Sequence, residues 1–358
     1  MLFVSTMSIM TCLAKDSKEL GFMYGADISA LSEIESRGSM FRDNGKPADA
    51  IHILSKHGVN TYRLRLFVNP TMKEVVVQDL PYTLRLAKRI KAAGGKFLLD
   101  LHYSDTWADP GNQSKPKAWE SLAFKELEAK VEAYSSDVMT AFKKAGCLPD
   151  MVQVGNEITP GFLWPTGKIG DKEGGWERFT SLLKAGIRGV RAPLAKDDDV
   201  KIMIHIATGG SRPHTVFFFS EIAKHGVDFD VIGLSYYPEW HGGITELKDN
   251  LAQTAAAFKK PIVVVETAYP WAPDEKSELK NMNWPQTPEG QKEFLQEVTA
   301  TVKATPGNLG IGVFWWYPEA IPTKGLHIWQ GGRTALFDKN GEALPALKDW
   351  HTQMKPDK

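Results

Sequence analysis

The sequence repeats one pattern eight times: a short apolar run, a polar turn-rich stretch and then a helical segment. The apolar runs begin at Phe22, Thr61, Lys96, Met151, Lys201, Val231, Ile262 and Gly312. Strands that alternate with helices pair in parallel through right-handed crossovers. Eight such units with no linker between them favour a closed (β/α)8 barrel, a TIM barrel, as a single domain. An open doubly wound sheet is less favoured because no GxGxxG turn follows the first run.

The first residues are expected to form a separate leader. We assign residues 1–20 to a leader and short linker, and residues 21–358 to the barrel. Residues 1–14, MLFVSTMSIMTCLA, resemble the apolar core of a secretory signal, although the positive residues that precede such a core are missing. The IMTC that ends at Cys12 resembles a lipoprotein cleavage box. We therefore expect a secreted, periplasmic or cell-surface bacterial protein, with an unstructured start as the alternative.

The composition excludes several classes of protein. Forty-three basic and 43 acidic residues give no net charge, which argues against a nucleic-acid binder. The sequence contains no apolar run of roughly 18 residues, the length that spans a membrane. The two cysteines, Cys12 and Cys147, form neither a disulfide framework nor a metal motif. Analogy with other barrels favours a monomer.

Two glutamates end predicted strands, where barrel enzymes place their catalytic groups. Asn156 and Glu157 end the fourth strand, and Glu266 ends the seventh after four consecutive apolar residues. A carboxylate there is costly unless it is paired or hydrogen-bonded. Carboxyl groups about 5–5.5 Å apart form the retaining glycosidase arrangement of nucleophile and acid/base. The alternative is that each glutamate only caps the following helix.

Two arginines on the second predicted strand are candidates for holding a catalytic carboxylate. Arg63 and Arg65 share one face of that strand, because side chains alternate with a period of two. Both are expected inside the barrel. Arg65 lies nearer the top, so we predict that Arg65 keeps the nucleophile ionised through charge-assisted hydrogen bonds, although the sequence leaves open which of the two arginines touches it. A purely structural arginine–carboxylate pair is the alternative.

Other inward positions supply further polar candidates. Asp100 and His102 share a face of the third strand, and we expect His102 in the site with Asp100 orienting it. Tyr237 follows the sixth strand and is placed to hydrogen-bond the nucleophile. His205 ends the fifth strand, and alternation leaves open whether it is a ligand-binding residue or a core histidine.

Tryptophans are concentrated after the predicted strands. Because an indole stacks on the apolar face of a sugar ring, the group predicts a polysaccharide cleft, although packing explains any single member as well. The members are Trp107, Trp164, Trp240, Trp271, Trp284 and Trp329.

Four segments together resemble glycoside hydrolase family 53, the endo-β-1,4-galactanases. They are HYSDTWADPGNQSKPKAW (102–119), QVGNEITPGFLWPTG (153–167), DVIGLSYYPEW (230–240) and VVETAYP (264–270), and the similarity extends over roughly residues 21–350. The resemblance implies retaining hydrolysis of β-1,4-galactan, the side chains of pectic arabinogalactan, with Glu157 as acid/base and Glu266 as nucleophile. It implies that Asn156 binds the sugar 2-hydroxyl. Further substrate contacts are expected from Arg65, Asp100, His102, Asp105, Trp107, Trp164, His205, Tyr237 and Trp240.

The sequence also departs from the family pattern. The family usually has Asn at Pro160, and Phe-Tyr-Trp-Glu-Pro where this chain has FWWYP at 314–318. We therefore expect Trp315 and Trp316 to form an altered subsite floor. Bacterial relatives often carry a calcium loop after the seventh strand, but residues 271–286 lack an alternating series of acidic ligands. No metal or organic cofactor is expected, since the retaining mechanism requires none.

Three other functions remain open from the residues alone. The same barrel and glutamate pair would suit an enzyme that cleaves mannan, xylan or β-glucan. A non-catalytic carbohydrate-binding barrel would keep the tryptophans, although the presence of both glutamates argues against it. An enzyme acting on a phosphorylated metabolite would need a glycine-rich phosphate site, for which Gly331 and Gly332 are a weak signal.

Overall fold

A computed structural model describes residues 21–274 and 283–351. The predicted leader, residues 1–20, therefore lies outside the described residues. Eight parallel strands form a closed barrel in which the first barrel strand pairs with both the second and the eighth. The prediction of a single (β/α)8 barrel is confirmed. The barrel strands are β1 (Met23–Asp27), β4 (Thr61–Leu66), β5 (Lys96–Leu101), β6 (Met151–Val154), β7 (Lys201–Ile206), β8 (Val231–Ser235), β9 (Ile262–Thr267) and β10 (Gly310–Trp316).

Helices surround the barrel, and a small hairpin of β2 (Phe41–Asp43) and β3 (Lys46–Ala48) follows the first helix. No helix in the described part of the chain is long and apolar enough to cross a membrane. The helices are α1 (Leu31–Ser36), α2 (Ala50–Lys56), α3 (Leu80–Ala92), α4 (Phe124–Lys144), α5 (Trp176–Arg191), α6 (Arg212–Lys224), α7 (Pro238–His241), α8 (Ile244–Phe258), α9 (Pro288–Lys303) and α10 (Pro345–Lys348).

The barrel interior changes from apolar to polar along the strands. A small apolar cluster fills its lower part, including Leu98, Met203 and Phe314. A larger apolar cluster packs the outer faces of the strands against the helices. Above Leu98 on the same face of β5 lies Asp100, which is fully buried. Buried charge is therefore concentrated at the carboxyl ends of the strands.

A bulge in β9 decides where Glu266 points. Leu234 and Ser235 are consecutive on β8, yet their partners on β9 are Val264 and Glu266. Val265 is thus an extra residue, and it packs inside the barrel. Strict alternation after Val265 would turn Glu266 toward the helices. The bulge instead returns Glu266 to the barrel interior, because an inserted residue shifts the alternation by one.

Close packing of α4 on α5 depends on Gly189. A Cβ at this position would lie 2.2 Å from the backbone oxygen of Glu132 on α4. A glycine-to-alanine change within a helix ordinarily stabilises it by up to about 1 kcal/mol. We expect Gly189→Ala to lower the free energy of unfolding by about 1–3 kcal/mol, because overpacking outweighs the helix propensity. Thermal and urea unfolding would measure the change.

Glu177→Ala provides the control, since Glu177 is exposed on the same helix. It should change stability by no more than about 0.5 kcal/mol. A Gly189→Ala protein as stable as the parent would show that the two helices separate without cost.

Candidate active site

A cleft of about 690 Å³ opens at the carboxyl ends of the barrel strands. Both predicted catalytic glutamates, Glu157 and Glu266, line it. Aromatic side chains form much of its wall, namely Trp107, Tyr237, Trp240, Trp316, Tyr317 and Trp329. The structure therefore brings the glutamates together with three of the six predicted tryptophans, whereas Trp164, Trp271 and Trp284 do not line the cleft.

Glu266 lies at the cleft floor with two hydrogen-bonding neighbours. Its Oε1 is 2.7 Å from Nη1 of Arg63, and its Oε2 accepts a hydrogen bond of 3.2 Å from the Tyr237 hydroxyl. The predicted Tyr237 contact is present. The prediction that Arg65 holds this carboxylate is wrong, because Arg63 makes the contact.

Arg63 is the centre of a buried polar network. Nη1 donates to Asp27 at 3.0 Å, and Nη2 donates to Asp100 at 2.8 Å and to the side-chain oxygen of Asn156 at 2.7 Å. Burial would lower the pKa of Arg63, but the surrounding carboxylates raise it overall. Arg63 therefore stays charged beneath the cleft.

Arg65 contacts the aromatic wall of the cleft and not, as predicted, the Glu266 carboxylate. Its guanidinium carbon lies 4.3 Å from the ring centre of Trp107, and Nη2 donates to the Tyr317 hydroxyl at 2.7 Å. The cation thus supports the aromatic wall through a cation–π contact. Tyr317 stacks on Trp316 with ring centres 4.6 Å apart, which extends the same support.

Glu157 enters the cleft from an unusual backbone conformation. Gly155 and Glu157, which follow β6, have φ values of 85° and 48°. This left-handed turn directs the adjacent side chains of Asn156 and Glu157 into one site, which an extended strand could not do. Oε1 of Glu157 accepts a hydrogen bond of 2.5 Å from Ser235.

The two glutamates differ in their electrostatic surroundings. Burial and the neighbouring Glu266 raise the pKa of Glu157 to about 8. Burial also raises the pKa of Glu266, but Arg63 opposes that rise. Of the two carboxyl groups, Glu157 is consequently the one that retains a proton near neutral pH.

Asp100 and His102 lie where alternation placed them. Asp100 accepts from Arg63 and lies 3.0 Å from Nε2 of His102, and His102 lines the cleft. Burial would raise the pKa of Asp100, but Arg63 and His102 lower it overall. Asp100 is fully buried below the cleft, so it holds neighbouring side chains.

His205 points into the barrel, which settles the facing that alternation left open. Its Nε2 lies 2.8 Å from Ser235 and its Nδ1 lies 3.1 Å from the side-chain oxygen of Asn156. It is fully buried. His205 therefore contacts the residues around Glu157.

Five predicted substrate-contact residues do not line the cleft, namely Asp100 and His205, which are fully buried, and Trp315, Trp164 and Asp105. Trp315 is fully buried in the outer core and donates to the Thr334 carbonyl, so it forms no subsite floor. Trp164 donates to the Pro160 carbonyl and packs beneath Lys168. Asp105 accepts from the backbone N–H groups of two loop residues, Asn69 and Lys117.

Sequence reasoning missed several residues of the site. Asp27 and Ser235 end β1 and β8, and the criterion that selected Glu157 would have found them. Gln153 donates to both Asp100 and Asn156 from within β6. A polar residue inside an apolar strand was the available signal.

The loop predicted to lack calcium ligands, residues 271–286, lies partly outside the described residues, which exclude 275–282. Among the described residues, no group of three or more His, Cys, Asp and Glu side chains could hold a metal ion. The expectation about calcium in this loop stays a prediction.

The sequence profile of glycosyl hydrolase family 53 matches residues 23–349. The chain belongs to this family. It is 43% identical over 348 residues to an uncharacterised protein of Niallia circulans, which covers 92% of this chain and 93% of that protein. It is 34% identical over 344 residues to a Cellvibrio japonicus protein named arabinogalactan endo-beta-1,4-galactanase, covering 91% and 89%.

A solved structure shows the same architecture. The family 53 catalytic domain of Ignisphaera aggregans has a TM-score of 0.87 at 34% identity, and the match covers 94% of this chain and 97% of that one. The resemblance inferred from the motifs is thereby confirmed. This family 53 chain is a glycoside hydrolase whose cleft contains both glutamates.

Removing the charge of Glu266 should change the proton affinity of Glu157. Because the Glu266 carboxylate raises the pKa of Glu157, Glu266→Gln should bring that pKa below its value of about 8. A ¹³C NMR titration of glutamate-labelled protein would measure it, with Glu157→Gln identifying the signal.

Glu319→Gln is a suitable control for this titration. Glu319 is also fully buried, and burial raises its pKa well above the usual range, but it does not line the cleft. Its substitution should leave the Glu157 titration in place. An unchanged Glu157 pKa in Glu266→Gln would mean that burial alone causes the shift.

Proposed function

We propose that this enzyme hydrolyses internal β-1,4-galactosidic bonds of galactan and arabinogalactan with retention of configuration. The observation that supports this most strongly is the asymmetric pair in the cleft. Glu266 faces Arg63 at 2.7 Å, whereas burial and the neighbouring Glu266 raise the pKa of Glu157 to about 8. The names of its family 53 relatives, such as the Cellvibrio japonicus protein, support galactan over mannan, xylan or β-glucan.

In the first step, the Glu266 carboxylate attacks the anomeric carbon while Glu157 donates its proton to the departing glycosidic oxygen. A covalent glycosyl-enzyme forms and the glycosidic bond breaks. In the second step, the Glu157 carboxylate takes a proton from water, and the resulting hydroxide attacks the anomeric carbon. Glu266 leaves as a carboxylate, so both residues return to their starting states.

Neighbouring side chains support these roles. Arg63 and Tyr237 stabilise the anionic form of Glu266, as a nucleophile requires. One hydrogen of the Asn156 Nδ2 group goes to the Ala108 carbonyl at 2.8 Å. The other is proposed to bond the sugar 2-hydroxyl, a contact that strengthens in the transition state.

The aromatic wall supports binding of a chain of sugars. Trp316, Trp329 and Trp240 follow one another by edge and tilted contacts, with ring centres 4.9 Å and 6.5 Å apart. Trp240 is 62% exposed at the outer end of this series. Indole faces at successive positions suit successive pyranose rings, which is why we propose action within the polymer.

We also propose that catalysis requires only groups of the protein chain. Carboxyl groups of the chain supply the acid, base and nucleophile, so the proposed mechanism uses no metal or organic cofactor.

We propose a monomer that acts outside the cytoplasm, at the cell surface, in the periplasm or in the medium. Export suits a polymeric substrate that is too large for ordinary uptake, and residues 1–14 are the proposed signal.

Substrate and mode of action would be tested together on purified residues 15–358. We expect short galacto-oligosaccharides from linear β-1,4-galactan, separated by chromatography, and no products from galactomannan, xylan or β-glucan. Release of galactose alone would exclude internal cleavage. Activity on another polymer would show that the enzyme is not specific for galactan. Binding without products would favour a non-catalytic carbohydrate-binding barrel.

Chemical rescue would test the two catalytic assignments. Glu266→Ala should lose roughly 10³-fold or more in kcat, because the nucleophile is absent. Azide should restore turnover by attacking the anomeric carbon and giving an inverted glycosyl azide, identified by NMR.

Glu157→Ala is the matched variant. It still forms the glycosyl-enzyme on an activated aryl galactoside, so azide should give a product of retained configuration. The same stereochemistry from both variants would contradict the assignments.

A further inference from the structure

A chain of hydrogen bonds begins and ends on Glu157. Its backbone N–H points at Nδ1 of His205 at 3.4 Å. Nε2 of His205 lies 2.8 Å from Oγ of Ser235, and Ser235 donates to Oε1 of Glu157 at 2.5 Å. The two intermediate residues come from different strands, β7 and β8.

The partners of His205 determine the direction of each bond. The side-chain oxygen of Asn156 lies nearer to Nδ1, at 3.1 Å, but its two lone pairs already accept from Arg63 at 2.7 Å and from Gln153 at 3.0 Å. The backbone N–H of Glu157 can only donate, so it needs an acceptor at Nδ1. Nε2 therefore carries the hydrogen and donates to Ser235, which leaves the Ser235 hydrogen for Glu157.

His205 is held neutral by its surroundings. Burial lowers the pKa of His205 well below its usual value, and the charges of Arg63 and His102 act in the same direction while Asp100 opposes them. A neutral imidazole has one donor and one acceptor nitrogen. With Nε2 as the donor nitrogen, the hydrogen bonds run from the Glu157 backbone to the Glu157 carboxyl group.

We propose that His205 and Ser235 are positioning residues for Glu157, which reserve Oε1 as a hydrogen-bond acceptor and leave Oε2 to carry the transferable proton. The inference rests on the proposed role of Glu157 as acid/base. In the first step the Oε2 proton passes to the glycosidic oxygen. In the second step Oε2 takes a proton from water. Ser235 donates to Oε1 throughout, so the chain need not reverse between the steps.

Other charged groups also act on Glu157. Glu266 on β9 and Asp109 in the loop after β5 raise its pKa, whereas Arg63 on β4 lowers it. A Ser235 substitution leaves these groups in place. Its effect on the titration of Glu157 can therefore be assigned to the lost hydrogen bond.

The first test is the pH profile of Ser235→Ala on galactan. Because the carboxylate loses a donor at 2.5 Å, the alkaline limb of kcat/KM should move upward by about one pH unit. Ser235→Thr retains the hydroxyl and should return the limb toward its original position. If activity falls while the alkaline limb of the kcat/KM profile stays in place, Ser235 contributes only to packing and the proposal is overturned.

Ser135→Ala is the matched control. Ser135 is also fully buried and hydrogen-bonds Tyr103 at 2.8 Å, but it lies on α4 outside the cleft. Its substitution removes a buried hydroxyl without changing the surroundings of Glu157. The alkaline limb should stay in place even if the protein becomes less stable.

The second test needs no substrate. Long-range ¹H–¹⁵N NMR spectra of histidine-labelled enzyme distinguish the two neutral tautomers and the cation, and His205→Gln identifies the signal. We expect the Nε2–H tautomer at every pH at which the enzyme is folded. An Nδ1–H tautomer or a titrating imidazole would overturn the assignment. If the enzyme is inactive on galactan but His205 is the Nε2–H tautomer, the proposed function is contradicted, whereas the hydrogen-bond chain is supported.

Discussion

The active site depends on one buried cation, the guanidinium of Arg63. It binds Asp27, Asp100 and Glu266, whose side chains come from three other strands of the barrel. A buried charge is costly unless its hydrogen bonds are complete, and removing one partner leaves the others uncompensated. The barrel must therefore close with β1, β4, β5 and β9 in register for Glu266, the proposed nucleophile, to be held. Fold and proposed catalysis are linked through this residue, because the contact that favours the Glu266 carboxylate also satisfies buried polar groups of the barrel interior.

The sequence predicted the architecture and most of the polar interior, since both follow from periodicity. Eight apolar runs gave eight strands, and alternation correctly placed Asp100, His102 and Tyr237. Alternation could not choose between Arg63 and Arg65, which share a face and differ only in height. It also gave no account of Glu266, which reaches the cleft through an inserted residue in β9, or of Glu157, which does so through a left-handed turn. Such departures from regular geometry depend on tertiary contacts, and they occur at the two glutamates.

The aromatic residues also show what a sequence pattern predicts and what it leaves undecided. Their number predicted a sugar-binding cleft, but neighbours such as Trp315 and Trp316 face opposite sides of β10. Trp315 completes the outer core with its N–H bonded to Thr334, whereas Trp316 lines the cleft. Tyr317 stands where the family pattern usually has Glu, and it changes the contacts that support the aromatic wall of the cleft. A phenol accepts from Arg65 and stacks on Trp316, so an aromatic ring and a cation hold the indole at this position.

In the proposed mechanism the two glutamates need opposite protonation states within one small cleft, and different neighbours provide the difference. Glu266 faces the cation Arg63, which favours the anion. Glu157 faces Ser235 and, through it, the neutral His205, so it receives a donor without receiving a charge. A cation in place of His205 would favour the carboxylate of Glu157 and remove the proton needed in the first step. A wholly apolar neighbour would hold the proton too tightly for release. A neutral donor lies between these extremes, and it suits a residue that must give up a proton and then recover one in each catalytic cycle.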